Sequence, residues 1–331
     1  MNTMNTMNAW IGIDISKATF DACLLRQQSK PIFKAFSNDR QGFTQLLAWA
    51  RSHTAGADLH FCLEATGAYG EALACFLAQA QQKVSVINPA RIRFAGLSRG
   101  TGNKTDPADA RLIADYCRKE NPPPWRAAAP EVRELVALLR RLHSLHTMVQ
   151  QEKNRSAEPH LTTGVRNSVE ETLQFLNQQI AALQRQIRQL VDRHPELRRD
   201  RDLLVSIPGI GEATALWIVA ELRDVAQFAS ASSAAAYAGL APRQHRSGTS
   251  VHKRSHLSKA GNRNLRRALY MPAVTACRWN PLIKTFYERL LARGLTRKAA
   301  VGAAMRKLLM IAFGALKNQC PFAATPSTVS A

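Results

Sequence analysis

Three consecutive prolines, Pro122, Pro123 and Pro124 in "NPPPWRAAAP" (121–130), divide the chain. A proline fixes φ, lacks an N–H and clashes with the preceding helical turn, so neither a helix nor a central strand crosses this point. The residue patterns on the two sides differ. Before the prolines, short apolar runs alternate with stretches of helical period; after them the period is helical throughout. The expected class is therefore α/β plus α, with 121–130 as a linker, and 331 residues suffice for more than one core.

The first part reads in order as strand "AWIGIDIS", strand "FDACLLRQ", strand "PIFKAFSN", helix "DRQGFTQLLAWARSH", strand "LHFCLEAT", helix "GAYGEALACFLAQAQ", strand "KVSVINPA" and helix "TDPADARLIADYCRKEN". Asn38 or Asp39 starts the first helix, and Thr105 is the expected cap of the last, with Pro107 tolerated in its first turn. Three strands followed by helix, strand, helix, strand, helix predict a mixed sheet with helices packed on it, over residues 9–120.

Beyond the linker, Leu135, Leu138, Leu142, Leu145 and Val149 step by three and four. Leu173, Leu176, Ile180, Leu183, Ile187 and Leu190 do the same after a break at "AEPHLTTG". These are two seams of coiled-coil type, and residues 131–199 are expected to be helical and to mediate self-association, with a hairpin within one chain as the competing arrangement. Residues 200–320 read as a compact helix-rich domain. Within it "SIPGIGEATALWIVAEL" resembles a helix-hairpin-helix turn. There Gly209 and Gly211 either let the backbone approach a phosphate or simply stabilise a turn between packed helices.

Charge narrows the function. The net charge is +21, and residues 201–331 hold 19 basic side chains against five acidic ones, with no acidic residue between Asp224 and Glu288. Such a surface points to a polyanionic partner. It does not gather on one amphipathic helix with aromatic anchors, which argues against a membrane surface. The apolar run "KAAVGAAMRKLLMIAFGALK" is interrupted by Arg306 and Lys307, so no membrane span is expected. No signal peptide is expected either, and the six scattered cysteines form no C-x-x-C; reduced thiols in a cytoplasmic protein are the expectation.

Four carboxylates stand out by position. Asp14 lies inside the first apolar strand, where an acid is costly without a partner or a metal. Glu64 ends the fourth strand, and Asp106 and Asp109 fall three apart at the start of a helix, projecting from one face. Taken singly, the helical pair complements the helix dipole. Brought together, the four repel one another unless divalent cations neutralise them. Oxygen ligands of this kind suit Mg²⁺ or Mn²⁺, and a pair of such ions clamps the attacking and leaving oxygens of a phosphodiester.

The stretch 242–267, "PRQHRSGTSVHKRSHLSKAGNRNLRR", holds eight Lys or Arg, three His and no carboxylate, around Ser247-Gly248. Composition does not choose among Ser247, Ser250, Ser255 and Ser258, and Ser-Gly alone reads as a turn. Tyr237 and Tyr270 lie in the apolar runs "SAAAYAGL" and "ALYMPA" and are expected in the core. Arg243 and Arg246 are near enough in sequence to Ser247 to reach a phosphate it attacks. Lys253, Arg254, Lys259, Arg263, Arg266 and Arg267 are expected to hold flanking backbone without reading bases.

The ordered motifs "GIDISK", "CLEATGAY", "VSVINPARIRFA", "NKTDPADARLIADYCR", "SIPGIGEATA", "YAGLAPRQHRSGTS" and "SKAGNRNLRRALYMPA" together resemble the transposases of insertion-sequence family number 110, with its 1111 subgroup, over roughly residues 10 to 320. The resemblance implies a ribonuclease H-like (RuvC-like) first domain, a coiled-coil dimerisation segment and a C-terminal transposase domain. It implies that Asp14, Glu64, Asp106 and Asp109 are a DEDD set binding Mg²⁺, and that Ser247 is a nucleophile forming a phosphoserine link. The family members are recombinases guided by a non-coding bridge RNA. The partners implied are donor and target double-stranded DNA, that RNA, and further copies of the chain, dimers pairing to a tetramer, in a bacterial nucleoid. His245, or a route through the carboxylate site, would take the serine proton. Two rivals stand beside this: a structure-selective Holliday-junction endonuclease in which the carboxylates act without Ser247, and a non-catalytic architectural nucleic-acid-binding protein.

Overall fold

A computed structural model describes residues 8–27, 29–54, 56–65, 69–98, 106–222, 225–247 and 251–323. The chain forms two compact units, Met1–Ala127 and Ala128–Ala331.

The first unit is a five-stranded mixed sheet of order β3-β2-β1-β4-β5, from β1 (Asn8–Ile15), β2 (Thr19–Leu25), β3 (Ile32–Ser37), β4 (Asp58–Glu64) and β5 (Lys83–Ile87). β1 pairs antiparallel with β2 and parallel with β4. Helices α1 (Arg40–Ser52) and α2 (Glu71–Gln79) complete one core with Ile11, Ile13, Phe20, Phe61 and Leu63. Asp39 caps α1 by accepting from the Gly42 N–H at 2.8 Å, as expected, and that bond holds its carboxyl below the usual carboxylate range. On the other sheet face lie α3 (Pro89–Leu97) and α4 (Asp106–Glu120). The short α3 was not expected; Asn88 caps it at the Ala90 N–H, and Pro89 opens it. Thr105, the expected cap of α4, lies outside the described residues.

The proline stretch is not a free linker. The Trp125 N–H donates to Val84 O at 2.7 Å, and Ser85 Oγ donates to the carbonyls of Pro122 and Pro123. Residues 122–125 therefore run along β5 and cover the sheet edge, where prolines offer carbonyls but no N–H.

In the second unit α5 (Pro130–Ser156) and α6 (Thr163–Arg193) pack as a helical hairpin. Leu145, Val149, Leu176 and Ile180 form its outer core, while Leu135, Leu139, Ile187 and Leu190 join the main core of the unit. The two seams thus meet each other within one chain, and the hairpin is rooted in the C-terminal core. Further along come α7 (Pro195–Val205), α8 (Glu212–Leu222), α9 (Ala231–Tyr237), β6 (Pro242–Ser247), β7 (Val251–Leu257), α10 (Arg263–Ala268), α11 (Tyr270–Trp279), α12 (Pro281–Ala292) and α13 (Arg297–Asn318).

The antiparallel β6–β7 ribbon stands within the helix-rich domain expected there, as two strands that were not anticipated. Tyr237 and Tyr270 are corrected: they are 40% and 47% exposed, because Ala234 and Ala235 take the buried face of α9, and Pro272, Ala273 and Ala276 that of α11. Helix α13 is long and apolar enough to cross a membrane, but Ala304, Leu308, Ala312 and Phe313 on it are core residues of this unit. Five cysteines are buried; Cys320 is exposed. Burial pushes the Cys23 thiol up to about 12, as befits an inert core thiol.

Candidate functional site

Strand alternation sorts the residues of the sheet. Ile11, Ile13 and Ile15 of β1 fill the core under α1 and α2, so Trp10, Gly12 and Asp14 face α4. A Cβ on Gly12 would lie 2.2 Å from Ala110 O and 2.2 Å from Ala114 N. Only glycine lets the helix backbone rest directly on the strand here. Helix α4 runs against the direction of β1 and β4: the thiol of Cys117, near its end, donates to His60 O near the start of β4, and His60 pairs with Trp10. Its first turn therefore lies toward the strand ends that carry Asp14 and Glu64.

The parallel register ends at Ile13 opposite Leu63, which leaves Asp14 and Glu64 side by side at the carboxyl ends of their strands. Both are partly buried, as is Asp109 in the first turn of α4. Asp106 opens that helix, and its side chain lies outside the described atoms. The sheet face and the overlying helix thus gather Asp14, Glu64 and Asp109 at one end of the unit. Sequence reasoning missed Asp21, which stands directly across from Asp14 on β2 and shares its face. The signal was present: Asp21 lies two and four residues before Cys23 and Leu25, which pack against Ala110 and Ala114 of α4. Asn38 was read only as a possible start of α1. Its amide donates to Ser16 O and Tyr69 O, tying together the loops that follow the two carboxylate strands.

This donor set is all hard oxygen, which fits Mg²⁺ or Mn²⁺ and not a softer metal. Among the described residues no three His, Cys, Asp or Glu side chains converge into a finished cation cage.

In the second unit, Ser247 ends β6 opposite Val251, the first residue of β7. Arg246 and Lys253, with His245 and His252, lie along the same ribbon, whose pairing is irregular between Arg243 and His245. Gly248 and Ser250 lie outside the described residues, as do the side chains of His245, Arg246, Ser247, Lys253, Arg254 and Ser255. Arg243 is exposed.

The base of the ribbon is closely held. Ser258 N–H donates to Ala241 O at 2.9 Å, Lys259 N–H to Gly239 O at 3.1 Å and Asn262 N–H to Tyr237 O at 2.6 Å. Gly261, with φ +147°, sits so near that a Cβ would be 2.2 Å from Tyr237 O. Arg266 donates to Ala238 O at 3.1 Å and so braces this base, a use that sequence reasoning did not assign it. Beneath lies Glu221 of α8, 2% exposed, accepting from Asn262 Nδ2 at 2.6 Å and Asn264 Nδ2 at 3.0 Å, with Arg140 of α5 3.8 Å away. Burying a carboxylate is costly, and these partners offset it. The motifs "YAGLAP" and "SKAGNRN" are thus the two sides of one mount for the serine ribbon.

The turn between α7 and α8 separates the two glycines named from sequence. Gly209, φ +102°, abuts α11, where a Cβ would meet the Ala276 backbone at 2.9 Å; packing accounts for it. Gly211 has open space around it.

Two family descriptions match the chain. That of the DEDD transposases of IS110 covers residues 11–164, and "Transposase IS116/IS110/IS902 family" covers residues 201–288. The pilin gene-inverting proteins of Moraxella lacunata and Moraxella bovis are 39% and 38% identical over 315 residues, which is 95% of this chain and 97% of theirs. The 43.6 kDa protein of insertion element IS110 of Streptomyces coelicolor is 34% identical over 151 residues, 46% of this chain and 36% of that one. On this similarity, which runs through both the carboxylate face and the serine ribbon, the chain belongs to the IS110 family of transposases, enzymes that act on DNA.

Proposed function

We propose that the protein is an RNA-guided recombinase that cuts and rejoins DNA through a phosphoserine at Ser247, with Asp14, Glu64, Asp106 and Asp109 as a Mg²⁺ site. The observation that carries this reading is the pairing of two local designs: carboxylates aligned on adjacent strand ends under the first turn of α4, and a serine at the end of a basic ribbon on a braced mount.

In the first step Ser247 Oγ loses its proton and bonds to the scissile phosphorus. The bond from phosphorus to one deoxyribose oxygen breaks, and that oxygen leaves as a hydroxyl after taking a proton. The link to serine conserves the phosphodiester, so attack by a second DNA hydroxyl restores Ser247 and joins the strands without an external energy source. Arg243 and Arg246 balance the charge that grows on the phosphoryl oxygens. Bound to the carboxylates, Mg²⁺ would supply Lewis-acid polarisation of the phosphate and lower the pKa of a coordinated group.

Contacts to backbone phosphates select no sequence. Selection by base pairing to an RNA resolves that difficulty and leaves the protein to read shape and charge. The active assembly is a dimer that pairs to a tetramer on DNA.

A second reading concerns outcome and not chemistry. Two relatives similar over 97% of their own length are named for inverting a pilin gene, and inversion is the same cut-and-rejoin reaction between two sites on one molecule. A plasmid carrying the element ends, incubated with protein, Mg²⁺ and RNA transcribed from those ends, tests both. Rejoined products that need the RNA and vanish in Asp14→Asn support the recombinase. Cutting that survives Ser247→Ala favours the junction endonuclease, and binding without strand breakage favours the architectural protein.

A further inference from the structure

Around Arg267 positive charge exceeds what the neighbouring carboxylate balances. Helix α10 presents Arg263 and Arg267 one turn apart, both exposed. Arg267 lies over the Trp217 ring, 5.9 Å from its centroid, and donates to Nε2 of His143 on α5. A guanidinium has no acceptor atom and stays protonated. His143 must therefore accept with a bare Nε2 and carry its proton on Nδ1, as a neutral imidazole. Burial, then Arg267, His146 and Arg263, hold it below the ordinary histidine value.

Those are the charges that bear on His143 from α5 and α10. From α8 come Trp217 and Glu221, the latter acting through Arg267. Helix α6 meets α5 through the apolar Leu142, Leu145 and Val149. Arg140, one turn before His143, stands 3.8 Å from Glu221. Glu221 is buried, and both its oxygens already accept from Asn262 and Asn264. One carboxylate thus serves both Arg140 and Arg267, with Arg263 adding like charge beside Arg267, and Arg267 is oriented by an indole and an imidazole, neither of which neutralises it.

We propose that Arg140, His143, Arg263 and Arg267 form a phosphodiester-binding site bridging α5 and α10, in which His143 takes up one proton as a nucleic-acid phosphate binds. The site rests on reading the chain as acting on nucleic acids. A phosphate oxygen is a stronger acceptor for Arg267 than a neutral imidazole, because both partners are then charged. Once Arg267 turns to the phosphate, Nε2 of His143 is released, takes a proton from solvent and donates to the same anion. The sign follows: His143 binds fewer protons in the free protein than in the complex, so affinity rises as pH falls through the histidine range. One proton gives at most about a tenfold change per pH unit.

The test uses the full chain and fluorescence anisotropy with two probes, a short labelled DNA duplex and a labelled RNA hairpin of equal phosphate number, between about pH 5 and 8. His143→Gln, which keeps a neutral acceptor, should lose one proton's worth of the wild-type pH slope; histidines on the ribbon contribute equally to both proteins. Arg267→Ala should lose the same slope and flatten the salt dependence by about 0.9 in log K per log salt, one duplex phosphate contact. The probe that shows the slope difference identifies the nucleic acid held there. Circular dichroism melting confirms that each variant is folded, and Arg267→Ala serves if His143→Gln is not. An unchanged pH slope with both probes overturns the proposal. Failure of the wild type to bind either probe overturns instead the nucleic-acid reading on which it rests.

Discussion

The side-chain amide of Asn262 donates at 2.6 Å to Glu221, a carboxylate only 2% exposed. Asn262 also caps α10 by accepting from the Leu265 N–H at 3.0 Å, and its own N–H reaches Tyr237 O. One side chain thus joins the buried acid, the first turn of the arginine helix and the base of the serine ribbon. Position at the ribbon's far end depends on rigidity at its base, because an error of an ångström at a reacting atom is costly.

Glu221→Ala leaves the Asn264 amide without its Glu221 acceptor and the Asn262 amide with only the Tyr237 hydroxyl at 3.2 Å, and should destabilise the second unit by about 2–3 kcal/mol. Glu221→Gln keeps one acceptor oxygen and should cost about half of that. Urea denaturation orders the two. Strand joining should fall further than DNA affinity in both variants, since the arginines remain but their mount loosens.

Gly12→Ala drives a Cβ into the Ala110 carbonyl and the Ala114 amide. Backbone cannot yield as a flexible side chain does, so α4 must lift from β1, at about 1–3 kcal/mol. Asp109 would move away from Asp14 and Glu64. Metal-dependent DNA cleavage should fall at least tenfold even at temperatures where the variant stays folded.

Gly209 and Gly211 should part company. Gly209→Ala meets both a positive φ and the α11 backbone and should cost about 1–3 kcal/mol. Gly211→Ala meets nothing and should change stability by less than about 0.5 kcal/mol. Any loss of DNA affinity in Gly211→Ala, read by anisotropy, then reports on the exposed turn and not on folding.

His143 also predicts acid sensitivity. Its value in the folded protein lies below its unfolded value, so between the two the unfolded chain binds more protons. The stabilising contribution is present above the unfolded value and is lost as pH falls through the folded one. Thermal melts across that window should show a shallower acid decline for His143→Gln than for the wild type.

Much of the first unit was legible because burial leaves a period in sequence. Ile11, Ile13 and Ile15 alternate, and Asp14 announced itself as an acid in that run. Asp21 was equally placed, but one polar residue in a half-buried strand is unremarkable until its partner across the sheet is known. The ribbon was not legible. Arg, His, Lys and Ser follow one another along the sequences of β6 and β7, so no apolar alternation marks them. Glu221 gave the same signal as Asp14: α8, "EATALWIVAEL", is apolar all round, as in a buried helix, so an acid within it requires partners. Those partners lie 41 and 43 residues away and could not be named from sequence. The seams of α5 and α6 show in the sequence as apolar stripes, but a stripe does not say whether it meets its own chain or another.

The central claim is that Ser247 becomes covalently joined to DNA. Purified protein, Mg²⁺, RNA and end-labelled DNA from the element's own ends should yield, on a denaturing gel, labelled DNA retarded by attached protein. Mass spectrometry of the digested adduct should place the link on Ser247, and omission of the RNA should abolish it. Free cleaved ends with no protein attached, equally abundant in Ser247→Ala, would contradict the account and leave the carboxylates to act alone.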